Sequence, residues 1–530
     1  MIRRGIAVLV LLIGGWTESL TGQATRPEKT DAQETSAYSD VFGFLDSLGQ
    51  AAAAVRIGTL AHSVEGRAIP WVLAARPMVD GPAAAHRSGK PVLYVQGNIH
   101  AGEVEGKEAA LMLLRDMTLG VLRPLLDSVI VLVVPIYNVD GNEALGPADR
   151  HRPGQNGPAV VGRRANGQGL DLNRDYVKME APETRGAAAL INAWDPDIFI
   201  DLHTTNGSYH GYALTYSPGL NPNGGPANDF VRDEFLPTIR NRMRERHQQE
   251  TFDYGNFRNQ EPDSLDQGWY TYDPRPRFGT NWFAMRGRMA ILSEAYSNAP
   301  FKERIRATYN FVREVLSLAG ERSAAIASLH ATHSRWVPDS VTLQSEYADP
   351  SRRDVIAEIT EPAGDGSHGF ARRRRTGQYR TIRMPVFDRF APTQREAMPA
   401  GYLLPPRLTE VVGLLRHHGI RVAQLRHPWQ GPVEAFEVDS LTVSPRAFQG
   451  HRAVQVGGEW RPRPGWQAAR GWFFVSTEQR LGVLAAYLLE PASADGVAVW
   501  NLLDRDLRQG RDSPILRVRR RTETPMVELP

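Results

Sequence analysis

Cysteine is absent from the 530 residues of this chain. That excludes disulfide bonds, thiolate metal ligands, a cysteine nucleophile and a lipid-modified cysteine. Any metal must therefore be bound through histidine and carboxylate. A charge excess is nearly absent too: 62 basic against 59 acidic side chains leave a net +3, too even to argue for a nucleic-acid partner. Long apolar runs are missing as well. The stretch from Ile6 to Ile13 is well short of the roughly 20 residues that span a bilayer, and no later segment is long and apolar enough. Preceded by Arg3 and Arg4 and followed by small and polar residues up to Ala24, it reads as a cleavable secretory signal over 1–24. The expectation is an exported protein, periplasmic or extracellular, with no stable membrane insertion after cleavage. The basic runs Arg372 to Arg375 and Arg517 to Arg521 read as solvated loops or turns.

What is present is the composition of a globular protein, 42% hydrophobic and 23% charged, with 48 Gly and 37 Pro spread without a period. The length suggests two domains. From Pro91 onward strands and helices alternate. Val92 to Val95, Ser128 to Ile136, Ile198 to Leu202 and Met289 to Leu292 are apolar runs suited to buried strands, and Glu108 to Met117 and Phe301 to Leu318 carry helical spacing. Several of these strands end in polar residues, which puts the chemistry at a sheet rim. Gly/Pro/Asn-rich loops at 146–169 and 217–225 are long enough to bind. After about Ser334 the texture changes to short, Pro-punctuated runs and a helix-like Leu408 to His417. The prediction is an α/β catalytic domain over 25–330 and a second, strand-rich α+β accessory domain over 331–530.

Gly97-Asn98-Ile99-His100-Ala101-Gly102-Glu103 follows an apolar strand, so His100 and Glu103 sit on a turn where they can converge. Asp201-Leu202-His203-Thr204 ends another strand with a third ligand type. Two His and one carboxylate leave an open position, as in catalytic zinc sites. The metal's water needs a base, and Glu294, at the end of Ile291-Leu292-Ser293-Glu294, is placed for it. Arg163-Arg164-Ala165-Asn166 and Gly169-Leu170-Asp171-Leu172-Asn173-Arg174 put fixed cations and an amide in one loop, where an arginine can pair with a peptide's terminal carboxylate or stabilise an oxyanion.

An H-x-x-E pair, a D-x-N-R loop, a later His and a final Glu, in this order, resemble the zinc carboxypeptidases of the carboxypeptidase A and T kind, over roughly residues 40–325. The resemblance implies a mixed, mostly parallel twisted sheet flanked by helices. It implies one Zn2+ held by His100, Glu103 and His203, Glu294 as base and then acid, and Asp171 orienting His100. Asn173 and Arg174 would bind the terminal carboxylate of a peptide substrate and Arg163 would polarise the carbonyl, with Arg164 one position away as its rival. Tyr272 is the match for a tyrosine that closes over substrate, Tyr270 its alternative. The function expected is removal of C-terminal residues from peptides. The competing readings are a zinc amidohydrolase on cell-wall peptides or other amides, and a non-catalytic module on the same fold. The C-terminal region suggests no chemistry, and oligomeric state and side-chain preference are not legible.

Overall fold

The computed structural model describes residues 23–333, 338–363, 373–520 and 526–529. The segment read as a signal therefore lies almost wholly outside the described residues. No helix among them is long and apolar enough to cross a membrane.

The amino-terminal half is organised around an eight-stranded mixed sheet. Its strands are β1 (Val55–His62), β2 (Ala68–Ala74), β3 (Val92–Gly97), β4 (Ile130–Val134), β5 (Ile198–Thr204), β6 (Leu214–Pro218), β7 (Thr251–Asp253) and β8 (Met289–Ala295), in the spatial order β1-β2-β4-β3-β5-β8-β6-β7. The four central strands β4, β3, β5 and β8 run parallel, and every residue of them is buried. This is why they read as apolar runs without alternation: both faces are covered. Helices α1 (Glu105–Thr118), α2 (Pro182–Trp194) and α3 (Phe301–Glu321) flank the sheet, and α1 packs on α3. The predicted strands and helices are all present, β5 and β8 running two or three residues further than expected, into the polar positions that carry the site.

The carboxyl-terminal half adds a seven-stranded sheet and a buried helix, Gly482–Leu489. It is not simply appended. A four-stranded sheet joins Asn256–Phe257 and Trp269–Tyr270 from the first half to Ser351–Pro362 and Arg373–Phe387 from the second, with Trp269 and Tyr270 pairing parallel to Val386 and Phe387. Two expectations fail here. Arg373, Arg374 and Arg375 open the strand Arg373–Phe387 rather than a solvated loop, Arg375 pairing with the buried Glu358; Arg372 lies outside the described residues. Arg517 is fully buried in the strand Asp512–Val518, held by Glu490. A charge run read one residue at a time hides partners that arrive from far along the chain.

Candidate active site

Register brings the site together. In the parallel pair β5/β8, His203 stands directly opposite Glu294 and Asp201 opposite Leu292, so His203 and Glu294 share a face. In β3/β5, Gly97 stands opposite Leu202, and the chain leaving β3 turns at once. Asn98 adopts φ +65°, a conformation Asn tolerates better than most residues, and its amide donates to the carbonyls of Ala101 and Glu103, both at 3.4 Å. That turn delivers His100 and Glu103 beside His203. Among the described residues, only His100, Glu103 and His203 bring three such ligand atoms within 4.8 Å of one another.

The donor set fits a divalent metal. Nδ1 of His100 lies 3.0 Å from Glu103 Oε1, and Nδ1 of His203 lies 3.0 Å from Glu103 Oε2. Both imidazoles therefore aim the same nitrogen at one carboxylate, while their other nitrogens face carboxylates behind them: Asp171 at 2.9 Å from His100 and Asp201 at 2.9 Å from His203. Such partners fix the tautomer and ring orientation of a metal-binding histidine. Gln96 in turn donates to Asp201. Burial would raise the Glu103 carboxyl, but Arg152, His100 and His203 outweigh it and hold it well below its usual value. Burial likewise acts against the charged form of His203, yet Asp201 and Glu103 raise it well above an ordinary histidine.

Glu294 is 8% exposed at the rim of the same pocket, about 200 Å³ in volume. Burial pushes its carboxyl up to about 8, with Glu103 and Asp201 adding to the rise and His203 and Arg152 opposing it. A cation between these groups would favour the ionised form.

The loop after β4 supplies the cations. Gly162 passes so close to the carbonyls of Gly141 and Ala101 that a Cβ would sit 2.6 and 2.8 Å from them, and this fixes the path of the next two residues. Arg163 turns outward, exposed, its guanidinium donating to the carbonyl of Asn166 at 3.2 Å. Arg164, its own carbonyl held by Asn138, lines the pocket and places Nη2 2.8 Å from Asp171 and Nη1 3.5 Å from Glu103. Of the two rivals for polarising the carbonyl, Arg164 and not Arg163 lines the pocket. Burial alone would raise the Asp171 carboxyl, but His100, Arg164 and Arg174 hold it far below the usual range. Asn173 and Arg174 both line the pocket. Asn173 Oδ1 accepts from Gly279 N–H at 2.9 Å, and the Arg174 guanidinium stacks 4.0 Å over the Phe278 ring.

Tyr272 lines the pocket, edge-on to Tyr254 at 5.8 Å and to Phe278 at 5.1 Å, whereas Tyr270 stacks on Phe387 at 4.2 Å, away from it. Burial raises the Tyr272 phenol above its ordinary value, so the ring carries its proton. Sequence reasoning missed Tyr254, Phe278 and Arg152. Arg152 sits 3.1 Å from Glu103 and donates to the carbonyls of Thr204 and Thr205. Its signal was the long 146–169 loop, in which nothing distinguishes it from Arg150.

The family model described as zinc carboxypeptidase matches residues 43–274. Carboxypeptidase 2 of Trichophyton rubrum is 23% identical over 490 residues, spanning 86% of this chain and 81% of that protein. Carboxypeptidase D of Mus musculus is 30% identical over 187 residues, 31% of this chain and 13% of its own. A metallo-carboxypeptidase from Burkholderia cenocepacia overlays 54% of this chain and 70% of its own at a TM-score of 0.41 and 15% identity. Zn2+ is the family's metal, and the His-Glu-His group has the donors for it. Residues 43–274 thus carry a zinc carboxypeptidase domain, and the matches support a zinc metallocarboxypeptidase.

Proposed function

We propose that the protein is an exported exopeptidase that removes single residues from the free C-terminus of peptides, with His100, Glu103 and His203 holding one Zn2+. Zinc in that site supplies Lewis-acid chemistry, polarising a carbonyl and making a water acidic near neutral pH. Glu294 takes the proton from the attacking water and returns it to the departing amine nitrogen, the two transfers that hydrolysis of an amide requires. Arg164 is the donor for the charge that develops on the carbonyl oxygen, a role that needs a cation fixed in advance; Asp171 fixes it. Arg174 pairs with the terminal carboxylate beside Asn173, and Tyr272 and Tyr254 wall the space for the last side chain. Export rests on the apolar stretch near the amino end.

The observation that carries this reading is the placement of Arg174 and Asn173 in the same pocket as the His-Glu-His trio and Glu294. An arginine there recognises a carboxylate, and with it the end of a chain. The test is to digest a mixed peptide set, free and amidated at the C-terminus, with the zinc-loaded protein and read cleavage positions by mass spectrometry. Loss of one residue at a time from free termini only is expected. Equal cleavage of both sets at internal bonds would remove the exopeptidase reading. In parallel, His203→Ala should fail to retain stoichiometric zinc, as measured by metal analysis.

A further inference from the structure

The turn that carries Asn173 and Arg174 is gripped from the far end of the chain. Asp171 donates its backbone N–H to the side-chain Oε1 of Gln449 at 2.8 Å, across 278 residues of sequence. Gln449 sits at the tip of the connection between the strands Trp429–Val443 and Val454–Ala468. That tip is closed by reciprocal backbone hydrogen bonds between Phe448 and His451, with Gln449 at φ +52° and Gly450 at φ +81°. Two successive left-handed residues make a tight hairpin turn in which Gly or Asn is the favoured occupant of the first position. A glutamine there is strained, and backbone strain at a defined contact points to a use for the side chain.

The rest of the tip is anchored on the same arm. His451 contacts Glu180 at 2.7 Å through Nε2 and Asn501 at 3.0 Å through Nδ1. The second strip of the pocket is held likewise. Arg277, next to Phe278, donates its N–H to Asp495 at 2.9 Å and its guanidinium to the same carboxylate at 2.6 Å, between the rings of Trp500 and Phe448. The two strips meet where Arg174 stacks on Phe278 and Gly279 bonds Asn173. Arg174 itself has few anchors: beyond that ring it donates to the carbonyl of Asn173, and Asp171 lies 4.0 Å away.

We infer that Gln449 is a positioning residue for terminal-carboxylate recognition: its side chain fixes the Asp171 amide, and with it the turn that aims Arg174 into the pocket. The carboxyl-terminal half thereby acts in substrate recognition rather than as a passive appendage. This rests on the exopeptidase reading above. The test compares Gln449→Gly, Gln449→Asn and Gln449→Glu in the full-length zinc-loaded protein. Glycine relieves the left-handed strain, and asparagine tolerates it but is too short to reach the amide. Glutamate keeps the acceptor. A neutral hydrogen bond of this kind is worth roughly threefold to tenfold in an equilibrium. Gln449→Gly and Gln449→Asn should therefore raise KM for free-terminus peptides by about that factor, with kcat within about twofold of the parent, zinc content unchanged and Tm equal or higher. Gln449→Glu should restore the parent KM. Unchanged KM in the Gly and Asn variants overturns the inference while leaving the exopeptidase reading intact. A fall in kcat accompanied by a lower Tm makes Gln449 structural only and overturns it equally. A parent that ignores the C-terminal carboxylate overturns both.

Discussion

Two of the buried clusters of charge, one at each of the two large sheets, are finished differently. In the seven-stranded sheet Arg517, fully buried, is enclosed by Glu490 and Glu396 and stacked 3.9 Å over Trp460, while Tyr402 donates to Glu490 at 2.6 Å. Every donor and acceptor there looks at another. At the rim of the eight-stranded sheet Glu103, His203 and Glu294 are likewise buried, yet they line an open pocket in which no arginine or lysine among the described residues forms an ion pair with Glu294. Burial of charge is thus no mark of function in itself. A cluster that satisfies itself locks packing, and one left open toward a cavity keeps its charge for a ligand.

The largest effect expected from breaking this contrast is on the open side. Glu294→Gln keeps shape but can neither accept nor return a proton, so kcat should fall by about 10²- to 10⁴-fold, with Tm and zinc content close to the parent. Steady-state rates alongside thermal melts decide it, and near-parent turnover would take Glu294 out of the mechanism. The mirror experiment is Glu490→Gln on the closed side. Removing one partner of a buried pair costs about 3–5 kcal/mol. Denaturant unfolding should show that loss, while the activity of molecules that remain folded stays near the parent value. Should Glu490→Gln lower turnover as Glu294→Gln does, the two clusters are not functionally distinct.

A smaller effect is expected for Arg174→Ala. Charge-assisted contacts contribute roughly 1.5–3 kcal/mol, so kcat/KM for peptides with free C-termini should drop about tenfold to a hundredfold. Amidated peptides, expected to be poor substrates of the parent, should change little.

The smallest effect concerns two histidines that belong to neither cluster. Burial pushes His210 and His418 down to about 3, with Arg375 acting on the first and Arg286 on the second in the same direction. His418 joins the two halves: it accepts from Trp282 at 2.9 Å and its other nitrogen faces the Val177 carbonyl at 3.0 Å. Folded pKa values below the ordinary histidine value mean that the unfolded chain takes up protons first. Their stabilisation is whole above pH 6.5 and is lost as pH falls from there toward 3. Between pH 7 and 5.5 the loss should be about 1 kcal/mol per histidine, read as a lower urea midpoint. His418→Gln should reduce that dependence.

The eight-stranded sheet was legible because its central strands are buried on both faces and two of them, β5 and β8, carry His203 and Glu294 next to their last residues. His100, Glu103, His203 and Glu294 could be picked out for that reason, and the D-x-N-R string by resemblance. Arg164 could not be separated from Arg163, since the choice is made by Gly162 pressing on two carbonyls from other loops. Tyr272 was separable from Tyr270 only through Phe387, more than a hundred residues away in sequence, which claims the other ring. Arg517 misled for the same reason. Nothing local announces Glu490.

The sheet shared between the halves orders events in time. As a chain grows from its amino end, the His-Glu-His group is complete once His203 has emerged, and Glu294 follows. Trp269 and Tyr270, just ahead of Tyr272, find their parallel neighbour only when Val386 and Phe387 follow, and Asp171 meets Gln449 later still. A ribosome-bound or prematurely ended chain therefore holds His100, Glu103 and His203 before the residues that brace the pocket wall have been made. Completion of the pocket becomes a report that the chain has been made at least as far as Gln449.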